Sequence, residues 1–524
     1  MIPGDLPVPC FMSASAASLF PLLAVALPFL FPWSAPPLPS LWQLLFSWAC
    51  IALLAVLAWA RPAPLVCWAQ RLAWGLLLAA LVSAVIGLLQ YFGLGSDLSP
   101  WAHVAELGQA QGNLRQRNQQ ASLLNLGSWA ALWLWTQRPA GDGRPARVGL
   151  AAALALLAVG CAATASRTGA LQWLLMAGLV LLWWRASAPG ELRLVLSGGL
   201  VYLLSAFLLP LLLRGMHGVA SLGLFERIVQ EPAGCESRSV LWANVLALIA
   251  QRPWAGWGWG ELDYAHYMTL FPGERFCALL DNAHNLPLQL AVELGLPLTL
   301  LLSAGALVLL WRARPWRDPA PARQLAWGVL VLLGLHSFLE YPLWYGPFQL
   351  AALYALVLLW PAGLVRPKVP AWVPAGMLAL GLAMGGHALW DYHRVRQLYL
   401  APEERDPAYR EHTLARVGAS RRYADEVNFA ILTTTPLTPD SAQRIHALAQ
   451  GLLHYSPEPV VIEALIGSAC LSGRGELAVF HQIRYRVAYP KEYARWLQRQ
   501  PHCPSVSAPG RESPEPRPDS SQTP

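Results

Sequence analysis

The 524-residue chain is 55% hydrophobic and only 13% charged, against about 25% charged in an average soluble protein, and its mean hydropathy is +0.39. That composition excludes a disordered chain, a coiled coil and an ordinary soluble enzyme, and predicts an all-α polytopic integral membrane protein. The formal charge of +7 is spread between apolar runs rather than gathered into a basic domain, which argues for membrane lipids and against nucleic acid as partners.

Eleven apolar runs are each close to the length of about 20 residues that crosses a bilayer. They cover residues 14–33, 38–60, 72–94, 119–136, 148–165, 169–184, 192–213, 285–311, 324–339, 343–360 and 370–389. The first resembles a signal peptide in position, but it carries Asp5 and no Lys or Arg ahead of a long apolar stretch, so it is expected to stay as a helix. Loops after the even-numbered spans hold Arg61, Arg71, Arg138, Arg144, Arg147, Arg185, Arg193, Arg312, Arg314, Arg317, Arg323, Arg366 and Lys368, opposed by Asp142, Glu191 and Asp318. The other short loops hold Arg115, Arg117 and Arg167. The positive-inside rule therefore predicts a cytoplasmic N-terminus and an external C-terminus.

The predicted organisation is a membrane domain over 1–390, a large external loop at 214–283 within it, an external helical domain at 391–503, and a disordered Pro- and Ser-rich tail at 504–524. Within the loop, Ser239 to Ala250 forms an amphipathic stretch suited to the interface. Cys235 and Cys277 in the loop and Cys470 and Cys503 in the tail would be free to form bridges in an oxidising compartment, or they are unpaired small residues. No CxxC pair or HExxH motif is present, so no metal and no cofactor are expected.

Ionisable groups in or beside a membrane are costly and mark function. Here five pieces of chain bring them to one outer level: Gly112-Asn-Leu-Arg-Gln-Arg-Asn-Gln-Gln, Ser166-Arg-Thr-Gly, Glu236-Ser-Arg-Ser, Asp281-Asn-Ala-His-Asn and His336-Ser-Phe-Leu-Glu-Tyr-Pro-Leu-Trp-Tyr. Arg167 and Arg238 are planar, permanently charged donors suited to phosphate oxygens, though an arginine beside lipid headgroups also simply snorkels. His284, placed at the first turn of the eighth span, is a candidate general base or a plain interfacial residue. Asn285, Gln289 and Glu293 form a polar stripe, with Glu293 too deep to assist His284 and expected to hold neighbouring helices together. His336 and Glu340 are expected to pair with each other. Trp254, Trp257 and Trp259 read as an aromatic belt, with sugar stacking as the alternative.

As a set, these residues resemble a family. Ser166-Arg-Thr-Gly, then Arg238 followed by Arg252-Pro-Trp-Ala-Gly-Trp-Gly-Trp-Gly, then Ala283-His-Asn-Leu-Pro-Leu-Gln-Leu-Ala-Val-Glu-Leu-Gly, look like the core of the O-antigen ligase and polymerase superfamily. The stretches beginning at Gly112 and His336 look like its branch of bacterial protein O-oligosaccharyltransferases of the PglL type. The chain departs from that branch at Gln119, where His is expected, and at Arg117, where Pro is usual. The resemblance implies metal-independent transfer of an oligosaccharide from undecaprenyl pyrophosphate, at the periplasmic face of a bacterial inner membrane, to Ser or Thr of a protein such as a pilin. It implies that His284 activates the acceptor and that Arg167 and Arg238 hold the pyrophosphate. Asn118, Asn285, Glu293, His336, Glu340 and Tyr345 are its candidate supporting residues. The alternatives are ligation of O-antigen to lipid A core, polymerisation of repeat units, or, in a different class, transport of a lipid-linked sugar. Transport is disfavoured because no internal repeat is evident and the polar groups cluster at one face rather than at the midplane.

Overall fold

The computed structural model describes residues 16–60, 63–138, 144–184, 189–219, 223–229, 234–360, 370 and 372–499. Asp5, Arg61, Asp142, Arg185, Arg366, Lys368, Cys503 and the tail at 504–524 lie outside the described residues, as do the expectations that rest on them. Every regular element among the described residues is helical, and the protein is a polytopic membrane protein.

The main helical bundle comprises α1 (Ala16–Leu30), α2 (Leu41–Ala60), α3 (Leu65–Tyr91), α4 (Arg117–Thr136), α5 (Arg144–Ala163), α6 (Arg167–Trp183) and α7 (Pro189–His217). After a connecting segment with α8 (Leu224–Val229), α9 (Arg238–Gln251) and α10 (Leu262–Met268), it resumes with α11 (Leu286–Leu294), α12 (Leu296–Ala313), α13 (Pro321–Ser337), α14 (Gly346–Leu359) and α15 (Trp372–Arg396). Six helices among the described residues are long and apolar enough to cross a membrane by themselves: α2, α3, α5, α7, and stretches beginning with α12 and α15. α3 begins at Leu65, so Arg71 sits inside a helix, its guanidinium 4.4 Å over the Trp68 ring.

α4 is the centre of the bundle. Every residue from Gln119 to Leu134 is buried, against α3, α5, α6 and α13. Small residues allow the close approach: a Cβ added to Gly127 would lie 2.2 Å from that of Ala80 on α3. Because α4 is buried all round, its polar side chains must find partners inside the protein. Asn125 Nδ2 donates to Gln172 Oε1 (2.9 Å), and Gln172 Nε2 donates to Ser122 Oγ (2.9 Å). The periphery is the reverse: α12 leaves Leu300, Leu301, Leu307, Leu309 and Trp311 exposed, a surface that matches hydrocarbon rather than water.

The apolar run at 285–311 is not one helix, contrary to the sequence expectation. It breaks at Gly295 (φ 84°), between α11 and α12. The Trp-rich loop after α9 satisfies the freed backbone: Trp257 N donates to Val292 O (2.8 Å), Gly258 N to Glu293 O (3.0 Å), and Leu296 N to Pro253 O (2.8 Å). An added Cβ at Gly295 would lie 2.3 Å from Trp254 O, and one at Gly256 2.3 Å from Glu293 O, so backbone meets backbone at both glycines. Gly295→Ala is therefore expected to cost about 2–4 kcal/mol, through positive φ and overpacking together. A lowered unfolding temperature in detergent would register it, and an unchanged one would mean the loop does not seat at the break.

Beyond α15 come α16 (Thr413–Val417), α17 (Ala424–Thr434), α18 (Ala442–Leu452), α19 (Pro459–Leu471), α20 (Gly475–Ala488) and α21 (Pro490–Arg499). From α17 to α21 successive helices pair, and their core of Ile445, Leu452, Ile462, Leu465, Tyr485 and Trp496 also takes in Tyr267 of α10. Tyr267 Oη lies 3.0 Å from His481 Nδ1, and Arg484 Nε donates to Met268 O (3.0 Å), so the connecting segment and the C-terminal helices share one interior. Cys235 and Cys277 form a disulfide that closes the segment carrying α9 and α10.

Candidate active site

Four helices begin at one place, each started by a capping side chain that accepts from its own first turn. Gln116 Oε1 accepts from Gln119 N (2.7 Å), Ser166 Oγ from Gly169 N (3.1 Å), Ser237 Oγ from Val240 N (3.2 Å) and Asn285 Oδ1 from Leu288 N (3.1 Å). The residue after the cap is Arg117 in α4, Arg167 in α6 and Arg238 in α9. A guanidinium at the first helical position adds a full charge to the positive end of the helix dipole. Arg227 of α8 joins them, its Nη1 donating to Ala165 O (3.1 Å). Burial first, and then the charges of Arg117, Arg167 and Arg238, push the Arg227 guanidinium down to about 10. Arg227 is thus within electrostatic reach of the other three guanidiniums, and Glu340 is the carboxylate that pairs with one of them, Arg238.

Glu340 follows the end of α13 and is 4% exposed. Its Oε2 accepts from His284 Nδ1 at 2.6 Å. Its Oε1 accepts from Arg238, which also donates to Leu339 O, and from Asn118 Nδ2 at 2.8 Å. Asn118 Oδ1 in turn accepts from Ser166 Oγ (2.6 Å), so hydrogen bonds run unbroken from the cap of α6 to His284. Burial alone would raise the Glu340 carboxyl; the His284 hydrogen bond and the charges of His284, Arg238 and His336 outweigh it and hold the group below the usual carboxylate range. These ties are accordingly in place above that range and are lost only as pH falls through the depressed value.

His284 precedes α11 rather than lying in its first turn. Its backbone is left-handed (φ 50°), fixed by Asn282 Oδ1, which accepts from His284 N at 2.8 Å. The ring meets Tyr341 edge-on at 5.0 Å, and Tyr341 stacks on Tyr345 at 6.2 Å. With Nδ1 committed to Glu340 and the side chain 29% exposed, Nε2 is the nitrogen left for chemistry.

Two sequence expectations change. His336 does not pair with Glu340 through its side chain; it is fully buried, with Nδ1 2.8 Å from Ser122 Oγ, because it points from α13 into the polar interior of α4. Glu293 does not join membrane helices. Its Oε1 accepts from Gln289 Nε2 (2.8 Å) and from Gly260 N (3.0 Å), which pins the Trp-rich loop to α11. Asn285 Nδ2 donates to Phe338 O (3.0 Å) and ties α11 to the exit of α13. Gln119 is buried behind Asn118, with its Oε1 unpartnered among the described residues. Of the tryptophans, Trp257 is held by Nε1 donating to Leu248 O (3.0 Å) under the Arg252 guanidinium, while exposed Trp259 stacks on Trp344.

Residues 110–135 match the protein glycosylation ligase family, residues 152–303 the O-antigen ligase family, and residues 324–502 the family of the virulence factor membrane-bound polymerase, C-terminal. The three matches hold Asn118, then the later arginines with His284, then Glu340, so the cluster above is assembled from all of them. The chain belongs to the O-antigen ligase and protein glycosylation ligase superfamily. A comparison with individually curated proteins returns no match. The third match carries the likeness through the C-terminal helices, beyond the Gly112 to Tyr345 core in which the sequence motifs lie. As a member of this superfamily the protein is a multi-pass membrane enzyme that transfers glycosyl groups from a lipid-linked oligosaccharide to an acceptor.

Arg227 escaped sequence reasoning because it stands alone in a six-residue helix, with no motif around it. Arg117 had a signal that went unused. A capping residue followed by Arg occurs at Gln116-Arg117, Ser166-Arg167 and Ser237-Arg238 alike.

Proposed function

We propose that this superfamily member moves an oligosaccharide en bloc from undecaprenyl pyrophosphate to Ser or Thr hydroxyls of an exported protein such as a pilin. The observation that carries the reading is the His284–Glu340 pair beside the arginines of the converging helix starts. The guanidiniums of Arg167, Arg227 and Arg238 receive the pyrophosphate oxygens. His284 Nε2 takes the proton of the acceptor hydroxyl, whose oxygen attacks the anomeric carbon of the first sugar. The bond from that carbon to the phosphate oxygen breaks, and its electron pair leaves on the lipid pyrophosphate, where the arginines neutralise the added charge. Those arginines supply the cationic stabilisation that a divalent metal supplies elsewhere, in keeping with a metal-independent reaction. Tyr341 and Tyr345 wall the histidine on the side of the α13 exit.

A protein acceptor is favoured by the protein glycosylation ligase match over the segment that contains Asn118. The O-antigen ligase match over 152–303 favours the second reading, transfer to lipid A core by the same groups. The Cys235–Cys277 disulfide supports placing the active-site side in an oxidising compartment, and so the inner membrane with a cytoplasmic N-terminus and a periplasmic C-terminus.

The test is a glycosylation-deficient bacterial host that supplies lipid-linked oligosaccharide together with a pilin and lipid A core, both products being read by mass spectrometry. Sugar on a pilin Ser or Thr supports the proposal, and sugar on lipid A core alone replaces it with the ligase reading. Arg227→Ala is expected to weaken donor binding about tenfold, one charge-assisted contact discounted for partial exposure. Donor titration of the purified variant checks it.

A further inference from the structure

Glu340 divides its two oxygens between the two halves of the site. Oε1 faces Arg238, from the cluster assigned to the donor, and Oε2 faces His284, assigned to the acceptor. The carboxylate is 4% exposed, so water contributes little to its balance. The charged and titratable groups facing it are His284, Arg238, the buried His336 beneath, and Tyr341 and Tyr345, with Asp281 acting on both tyrosines. Arg238 is bound on the protein side by Leu339 O and Glu340, but its side chain is 34% exposed and so within reach of a ligand.

A carboxylate that accepts from both a guanidinium and an imidazole holds each less tightly than it would hold either alone. A pyrophosphate entering the arginine cluster competes with Glu340 for Arg238, since both offer anionic oxygens to a guanidinium. On that basis, and resting on the roles assigned above to His284 and Arg238, we propose that Glu340 couples the half-sites. Donor pyrophosphate draws Arg238 away, and the released carboxylate charge makes His284 a stronger base, so that the acceptor hydroxyl is deprotonated when the donor is loaded. Glu340 is in this sense a positioning residue that touches neither substrate. Linkage makes the effect reciprocal, so protonation of His284 tightens donor binding by the same factor.

The test uses the full-length protein in detergent micelles and, as probe, a sugar pyrophosphate diester with a short prenyl tail, whose charge is constant near neutral pH. Diethyl pyrocarbonate attacks the neutral imidazole, and mass spectrometry of the His284 peptide across pH gives the midpoint of its titration. A bound ligand that merely shields the ring lowers the extent of reaction without moving the midpoint. Saturating probe is expected to raise the midpoint by about one pH unit in the wild type, a tenfold change in proton affinity, and by less than about a third of that in Glu340→Gln. Arg238→Ala, in which Glu340 is already released, is expected to show the raised midpoint without probe, which keeps the idea testable should Glu340→Gln fail to fold. Equal shifts in wild type and Glu340→Gln would mean that the pyrophosphate acts on His284 directly and would overturn the coupling, as would an Arg238→Ala midpoint equal to that of unloaded wild type. Failure of the wild type to bind the probe would overturn the donor site itself, and the coupling with it.

Discussion

His284→Ala is expected to lower glycan transfer about a thousandfold while leaving donor affinity within about twofold of wild type. The reasoning is geometric. His284 Nδ1 is spent on Glu340, the imidazole stands clear of the arginine cluster's hydrogen bonds, and its substitution removes the proton acceptor without removing a guanidinium. The left-handed backbone at His284 is fixed by Asn282 and by the cap at Asn285, so the main chain keeps its path when the ring is deleted. Transfer measured with purified protein, lipid-linked donor and an acceptor peptide, alongside donor binding, separates the two effects. Unimpaired transfer by the variant would remove the general base from the mechanism.

Arg238→Ala is expected to act on both quantities, weakening donor binding by about ten- to a hundredfold and slowing turnover as well. Two losses combine. The pyrophosphate loses a planar two-pronged donor, and Glu340, a nearly buried carboxylate, loses the guanidinium that neutralises it. Arg238→Lys is expected to restore little, because an ammonium does not present the fork that spans Leu339 O and Glu340. Equal donor affinity in wild type and Arg238→Ala, measured by titration, would remove the phosphate-binding assignment.

Much of the candidate site was legible in the sequence as a proposal. The apolar runs marked the membrane helices because a bilayer sets their length, and the Ser166-Arg-Thr-Gly and Ala283-His-Asn stretches stood out because charged groups are costly at that depth. α4 was harder to weigh. Five of its residues are polar among those buried, and partners on α3, α6 and α13 make that tolerable, as in the hydrogen bonds of Gln120 to Ser83 and of Asn125 and Ser122 to Gln172. The break at Gly295 was hidden inside a continuous apolar run, since its cause is the Trp-rich loop more than thirty residues earlier, whose backbone completes the hydrogen bonds of the interrupted helix.

The pairing of the ionisable residues could not be read along the chain. His336 and Glu340 are spaced as neighbours on one helix turn, yet α13 ends at Ser337, which turns Glu340 outward to His284 and leaves His336 facing α4. Arg227 gained its place through the Ala165 carbonyl, 62 positions away. By itself the sequence determined that the chain is a polytopic membrane protein built of helices, because that is a local matter of hydropathy and length. Only the tertiary structure decided that Glu340 joins His284 to Arg238 and that Arg227 feels the charges of Arg117, Arg167 and Arg238, because electrostatic partnership depends on distance in three dimensions, and segments far apart in sequence had to meet for those charges to act together.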